Sequence, residues 1–354
     1  MTKEKNTFDN FSCPLPFSET DTITIAHGGG GKVMNKLIEN MFMHYLSNDI
    51  INEKHDGAIF NIGDQKFAFT TDSYVINPVF FPGGNIGELA VYGTVNDLSM
   101  CGAKPLYLSL GLIIEEGFHL KDLEKIIQSI KFACEKSGVQ VITGDTKVVE
   151  KNKGDGIFIN TAGIGIIRDD INISPSYVKP GDKILVSGDL GRHGIAIMSA
   201  RENLEFESNI ISDCAPLNGI VQKLIDANIE IHCLRDLTRG GLASALNEIS
   251  TQAGVEIEIE ENSIKVDEQV RGICEILGFD PLYVANEGRF TAFVKQKDSE
   301  KALEILKSKE SGKDAAIIGT VSNKSKTGIV TLKSIFGANR ILDMLSGEQL
   351  PRIC

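Results

Sequence analysis

Beyond an expected arm at residues 1–20, strand-like and helix-like stretches alternate along this chain. Residues 66–75 read as a strand. Over 87–101, Leu89, Val91, Tyr92, Val95 and Leu98 recur at helical spacing and predict a helix with those side chains in a core. An apolar strand is expected at 106–114, then an amphipathic helix at 120–137 that Gly138 stops. Residues 139–149 and 157–167 are β-branched strands joined through a glycine-rich turn at Gly154 and Gly156. Between 174 and 181 the composition turns to loop, with Pro175, Pro180 and Gly181, and a domain boundary is expected there. The alternation then restarts. It predicts strands at 183–187, 255–259, 282–294, 315–321 and 328–332, and helices at 195–203, 217–227, 241–251, 270–277 and 299–306. Residues 335–354 have no strong period and read as a tail. Strands mixed with flanking helices in both halves make the expected class α/β or α+β. The expected division is the arm, a domain over 21–173, a second over 174–334, and the tail.

The length of 354 residues favours two domains, and a hydrophobic content of 42% is ample for their cores. A net charge of −12 argues against a nucleic-acid or anionic-membrane partner, which would want a basic face. No apolar run reaches the roughly 18–20 residues of a membrane span, and the polar N-terminus has no signal-peptide core. Seven cysteines, with no C-x-x-C pair and no zinc spacing, suggest a reducing cytoplasm and mostly buried thiols.

Candidate chemistry sits in a few short clusters. In His27-Gly28-Gly29-Gly30-Gly31-Lys32, four consecutive glycines let backbone N–H groups converge on one anion. Lys32 adds charge, and a helix-like segment follows whose N-terminus favours phosphate. Val33 stands where a Walker A loop needs Ser or Thr, so the alternatives are a different phosphate loop or a flexible hinge. The second cluster is acidic: Asp72 in Thr71-Asp72-Ser73, Asp97 after Asn96, and Asp145 in Gly144-Asp145-Thr146-Lys147. Each Asp alone could be a cap or turn residue. Three together beside a phosphate loop suit Mg²⁺ with a nucleotide. In the second half, a titratable His193 lies in a loop-to-helix transition, Arg235-Asp236-Leu237-Thr238-Arg239-Gly240-Gly241 precedes a helix, and Asn286-Glu287-Gly288-Arg289 interrupts an apolar stretch. Glu287 is either an edge-strand surface group or a base aimed into a cleft. The chain ends in Pro351-Arg352-Ile353-Cys354. An extended tail over 345–354, at about 3.3–3.6 Å per residue, would carry a terminal thiol roughly 30 Å.

From about Thr22 to Cys354, these motifs together resemble the HypE family of hydrogenase maturation proteins. The Asn-Asp and Gly-Asp-Thr pieces are shared with a wider superfamily of aminoimidazole ribonucleotide synthetase, selenophosphate synthetase and thiamine-monophosphate kinase. The terminal cysteine motif singles out HypE. The resemblance implies a two-domain synthetase-like fold whose N-terminal sheets pair into a barrel-like core across a homodimer, with a mobile C-terminal tail. It implies that Cys354 receives a carbamoyl group from the carbamoyltransferase HypF. ATP-dependent dehydration to a thiocyanate follows, and the cyano group passes to iron on the HypC–HypD complex for nickel–iron hydrogenase. Nucleotide binding would fall to Gly28, Gly29, Gly30, Gly31, Lys32, Asp72, Asn96, Asp97, Asp145 and Thr146, and Mg²⁺ to Asp72, Asp97 and Asp145. Cys354, Glu287, Lys147 and Asn286 would do the chemistry, with Glu287 and Lys147 as alternative bases. The rival reading keeps the fold but assigns a kinase or synthetase of a free small molecule, for which Cys354 is incidental.

Overall fold

The computed structural model describes residues 22–201, 210–345 and 352–354; the expected arm and parts of the tail lie outside them. Two short helices, α1 (Lys32–Leu37) and α2 (Met43–Leu46), are joined through a wider π turn. Strands β1 (Ala58–Ile62) and β2 (Gln65–Tyr74) follow, then a small hairpin of β3 (Phe80–Phe81) and β4 (Gly84–Asn85). Next come α3 (Ile86–Met100), β5 (Lys104–Glu115), α4 (Leu120–Ser137), β6 (Gln140–Val149) and β7 (Ile157–Ile167). The Asn85 side chain caps α3 by accepting from the Gly87 N–H at 2.8 Å. Gly138, at φ 70, ends α4 in the left-handed conformation that glycine adopts without strain. The sheet order is β1-β2-β7-β5-β6, antiparallel except for β5 and β6, which α4 connects as a parallel crossover. α3 and α4 cover one face, with Leu89, Val91, Tyr92, Ile126 and Ile130 in the core. α3 is apolar nearly all round because the second half of the molecule covers its outer side.

The second half is built on β8 (Lys183–Val186), α5 (Arg192–Arg201), α6 (Asn218–Asp226), β9 (Ile231–Asp236), α7 (Gly241–Ala253) and β10 (Val255–Glu260). It continues with α8 (Glu268–Leu277), β11 (Phe290–Val294), α9 (Ser299–Lys307), β12 (Ala316–Lys324), β13 (Ile329–Lys333) and β14 (Asn339–Ile341). These strands form one sheet in the order β14-β13-β10-β12-β8-β11-β9. Successive side chains alternate between two cores. Ile184, Val186, Cys233 and Phe293 pack with α7, while Leu185, Leu234 and Ala292 pack with α6 and α9.

Several expected boundaries move. The strand expected at 282–294 is a strand only over Phe290–Val294; Pro281–Tyr283 is a 3₁₀ turn, and Glu287 stands in the loop before β11. β9, not anticipated, runs through His232 to Asp236 and is paired with β11. α5 begins at Arg192, so His193 is in its first turn. The tail contains β14, an edge strand on β13.

Candidate active site

The described end of the tail docks against the segment that leaves β2. The Val75 N–H donates to the Cys354 carbonyl at 3.1 Å, and the Asn77 N–H donates to the Arg352 carbonyl at 3.3 Å. Arg352 returns a bond from Nε to the Val75 carbonyl at 3.0 Å, and its guanidinium pairs with Asp155. Arg352 takes φ 53, a left-handed bend that turns the last two residues inward. Ile353 and Cys354 are buried in the same apolar cluster as Leu89 and Tyr92 of α3. Cys354 lines a cavity of about 70 Å³ together with Gly28, Gly29, Arg239, Gly240 and Tyr283. The terminal thiol and the glycine run therefore face one space.

Charge around that space is unbalanced toward acid. Burial pushes the Cys354 thiol up to about 12; Arg239 opposes this, and Glu287, Asp72 and Asp236 reinforce it. Arg239 reaches Asp72 Oδ1 at 3.5 Å and the Gly28 carbonyl at 3.4 Å, and its strongest electrostatic partner is Cys354. Asp97 projects from α3 toward β2, where Thr70 donates to Oδ2 at 2.9 Å. Burial raises Asp97 well above the ordinary carboxylate value, with Asp236, Asp72 and Asp56 adding to the shift. Asp236 is pushed up to about 8, first by burial and then by Asp56. Asp72 is raised by burial against the pull of Arg239. The structure brings Asp72 and Asp97 into one cluster and adds Asp56, Asp236 and Arg239, to which the sequence assigns no role because nothing in local spacing shows that β9 lies beside α3.

Glu287 is 3% exposed, and its Oε1 has no hydrogen-bond partner. Burial raises it well above its ordinary value; Asp236, Asp72 and Asp213 add to the shift and Arg239 opposes it. Its backbone is held on both sides: Asp213 accepts from the N–H groups of Glu287 and Gly288 at 3.4 and 3.1 Å. Asn96 Nδ2 donates to the Glu287 carbonyl at 3.3 Å and to the Ala215 carbonyl at 3.1 Å, while its Oδ1 accepts from the Leu217 N–H. The amide expected to touch nucleotide is thus spent on the protein, and Asn96 positions Glu287. Asn286, expected in the chemistry, is likewise committed. It accepts from the Gly191 N–H at 2.7 Å and donates to the Leu237 and Val284 carbonyls.

The glycine run lies across the start of α7. At Gly30, with φ 71, an added Cβ would meet Arg239 Cβ at 2.7 Å, and at Gly31 it would meet the Leu345 carbonyl at 2.5 Å. Only glycines allow this approach. The Lys32 N–H donates to the Leu345 carbonyl at 2.9 Å, and its ammonium pairs with Asp343.

Asp145, Thr146 and Lys147 do not join the cluster within one chain. Asp72, Thr161, Leu110 and Gly144 form one cross-strand row, so β6 lies three strands from β2, roughly 14 Å away. Asp145 and Lys147 pair with each other at 2.6 Å and are exposed. The three-carboxylate metal set expected from sequence is therefore not assembled, and among the described residues no group of three or more His, Cys, Asp or Glu forms a ready cage. Asp72 and Asp97 still fit a hard cation that brings waters and phosphate oxygens of its own. Asp56, whose charge also bears on Asp97, is already paired with Arg235 at 2.9 Å, which leaves Asp72 and Asp97 as the carboxylates for such an ion.

Comparison with known proteins agrees with this geometry. Residues 54–167 match the AIR synthase related protein N-terminal domain, and residues 179–331 match the corresponding C-terminal domain. The carbamoyl dehydratase HypE of Azotobacter vinelandii is 48% identical over 333 residues, 94% of this chain and 97% of that protein. The HypE–HypF complex superposes with a TM-score of 0.83 at 50% identity, covering 87% of this chain and 99% of that one. HypE solved in complex with ATP gives a TM-score of 0.79 at 44% identity, covering 94% of this chain and all (100%) of that one. The chain belongs to the HypE family of carbamoyl dehydratases, hydrogenase maturation proteins on the AIR synthase related fold.

Proposed function

We propose that this chain uses ATP to dehydrate an S-carbamoyl group on its own Cys354, leaving a thiocyanate whose cyano group becomes a ligand of the hydrogenase iron. The observation that carries the reading is the burial of the terminal thiol beside Glu287 and Arg239, in a cavity it shares with Gly28 and Gly29. An amide oxygen leaves poorly, so transfer of the γ-phosphoryl group to the carbamoyl oxygen turns it into a good leaving group. Of the two N–H protons, one is released as the O-phosphorylated imidate forms; Glu287 takes the second, phosphate departs, and S–C≡N remains. Low polarity around Glu287 makes its carboxylate a stronger base, and Arg239 stabilises the negative charge it carries before it takes the proton. Burial excludes water that would hydrolyse the activated carbon. Gly28–Gly31 and Lys32 would hold phosphates once Leu345 and Asp343 release the loop. Asp72 and Asp97 would hold Mg²⁺, which neutralises charge on the phosphates.

HypF is the proposed carbamoyl donor, supported by the HypE–HypF complex among the similar structures. The HypC–HypD complex is the proposed acceptor of the cyano group. The setting is the reducing cytoplasm, in keeping with six free cysteines among the described residues. A homodimer is proposed because the sheet face opposite α3 and α4 exposes Phe69, Tyr107 and Ile113, and the whole of β6 short of Val149 is exposed. Pairing of two such sheets would cover both.

Mass spectrometry of the C-terminal peptide tests the reaction. After incubation with the carbamoyltransferase, carbamoyl phosphate and ATP, the peptide should gain about 43 Da and then lose about 18 Da. Cyanation of a Cys354→Ala protein, or no loss of water from the carbamoylated wild type, would refute the reading.

A further inference from the structure

We infer that α5 is the receptor for the chain's own terminus: one face of this helix, made by His193, Ile197 and Arg201, reads the last three residues and sets the thiol under Arg239 and Glu287. The three side chains are four residues apart and so share one helical face. At the N-terminal end of α5, His193 Nε2 donates to the Ile353 carbonyl at 2.7 Å. At the other end, Arg201 donates to the Arg352 carbonyl at 2.8 Å and to the Asn77 carbonyl at 2.6 Å. Between them Ile197, fully buried, lies in the same apolar cluster as Ile353 and Cys354. With β2's continuation engaging the tail from its other edge, successive carbonyls of Arg352, Ile353 and Cys354 are all taken up.

The His193 contact is built for one tautomer. A carbonyl can only accept, so Nε2 carries the proton. Nδ1 then accepts from the Ser212 hydroxyl at 2.8 Å, and that oxygen accepts from the Cys214 N–H at 3.0 Å. Phe81 stands edge-on to the ring, 5.5 Å between centroids. Burial lowers the imidazole's affinity for a second proton. His193 is fully buried, yet the proton on its Nε2 is given to a residue 160 positions away in the chain. Bonds to main-chain carbonyls place the thiol by backbone position and leave the sulfur free to bear a substituent. His193 and Arg201 are therefore positioning residues.

The inference rests on the reading of Cys354 as substrate carrier, but its test needs no turnover. Full-length protein without ATP is treated with N-ethylmaleimide at pH 7.5, and alkylation of each cysteine is followed by peptide mass spectrometry. Loss of one docking bond should expose the tail more often, so His193→Leu and Arg201→Met should each alkylate Cys354 about tenfold faster than wild type. His193→Gln, whose amide nitrogen can replace the Nε2 donor, should stay near the wild-type rate. Cys233 and Cys274, buried in the second half, report unfolding and should remain protected. If His193→Leu exposes them too, Arg201→Met, at the far end of α5, decides the matter. Wild-type alkylation of Cys354 in Arg201→Met, or a His193→Gln protein as fast as His193→Leu, overturns the inference. Absence of cyanated product from wild type, with this alkylation pattern intact, would instead refute the proposed reaction.

Discussion

Glu287 and Asp97 show how single side chains carry strain that only function explains. Glu287 is buried and Asp97 partly so, and both are pushed upward first by burial and then by other acids. Glu287→Gln keeps shape and removes basicity. Carbamoylated Cys354 should still form, while cyanated product should fall by roughly 10²–10⁴, the scale of a general base. Product at the wild-type rate would eliminate Glu287 as the base. Asp97→Asn should have opposite effects on stability and activity. A carboxyl raised in the folded state costs stability as pH climbs above its unfolded value, so the amide should raise the melting temperature at pH 8. Turnover should fall on the order of 10²–10³, the loss seen when one electrostatic partner of a reacting group is removed. A variant less stable than wild type at pH 8, or fully active at limiting Mg²⁺, would contradict this account. Asp72 and Asp97 were legible in the sequence because a polar residue in an apolar helix or strand needs a reason. Asp56 and Arg239 gave no such signal, since their partners lie far away in the chain.

At the scale of elements, periodicity located those with a clean pattern and failed where function intervenes. α4 was predicted to its last residue because its apolar stripe is regular and Gly138 ends it. The apolar stretch over 282–294 was misread because Leu282, Val284 and Ala285 are buried for a different reason: they support the Glu287 turn, with Asn286 tying it to β9's end and α5's start. The tail looked aperiodic because its docking uses backbone carbonyls, which leave no trace in a hydrophobic pattern. α5 yields an element-level prediction. His193 faces Ser212, the Ile353 carbonyl, the Phe81 ring and the charge of Asp213; burial holds it below its ordinary value of 6.5. The unfolded chain therefore binds a proton that the folded one resists. The resulting stability is present above about pH 6.5 and lost as pH falls below it. Thermal melts between pH 7.5 and 5 should show a smaller loss for His193→Gln than for wild type. Equal losses would place the acid sensitivity elsewhere.

For the whole molecule, the open question is why Gly144-Asp145-Thr146-Lys147 lies outside the site it was expected to join. Within one chain Lys147 is exposed and paired with Asp145, about three strands from Asp72. Its register partner is Ile113, one of the large apolar residues on the uncovered face. A face that exposes Phe69, Tyr107 and Ile113 beside a fully exposed edge strand has the character of an unpartnered interface. If two sheets pair there, Lys147 can act only across the interface or within the assembly it helps to form. Complementation distinguishes these cases. Cys354→Ala and Lys147→Met proteins are each expected to make no cyanated product. When mixed under conditions that exchange subunits, a heterodimer contains one site with both Cys354 and a lysine from the other chain. Random exchange would then restore about a quarter of wild-type product per site. Recovery at that level assigns Lys147 to the neighbouring site. No recovery, despite exchange confirmed by native mass spectrometry, would confine its role to its own chain, and a Lys147→Met protein with undiminished product would remove it from the chemistry.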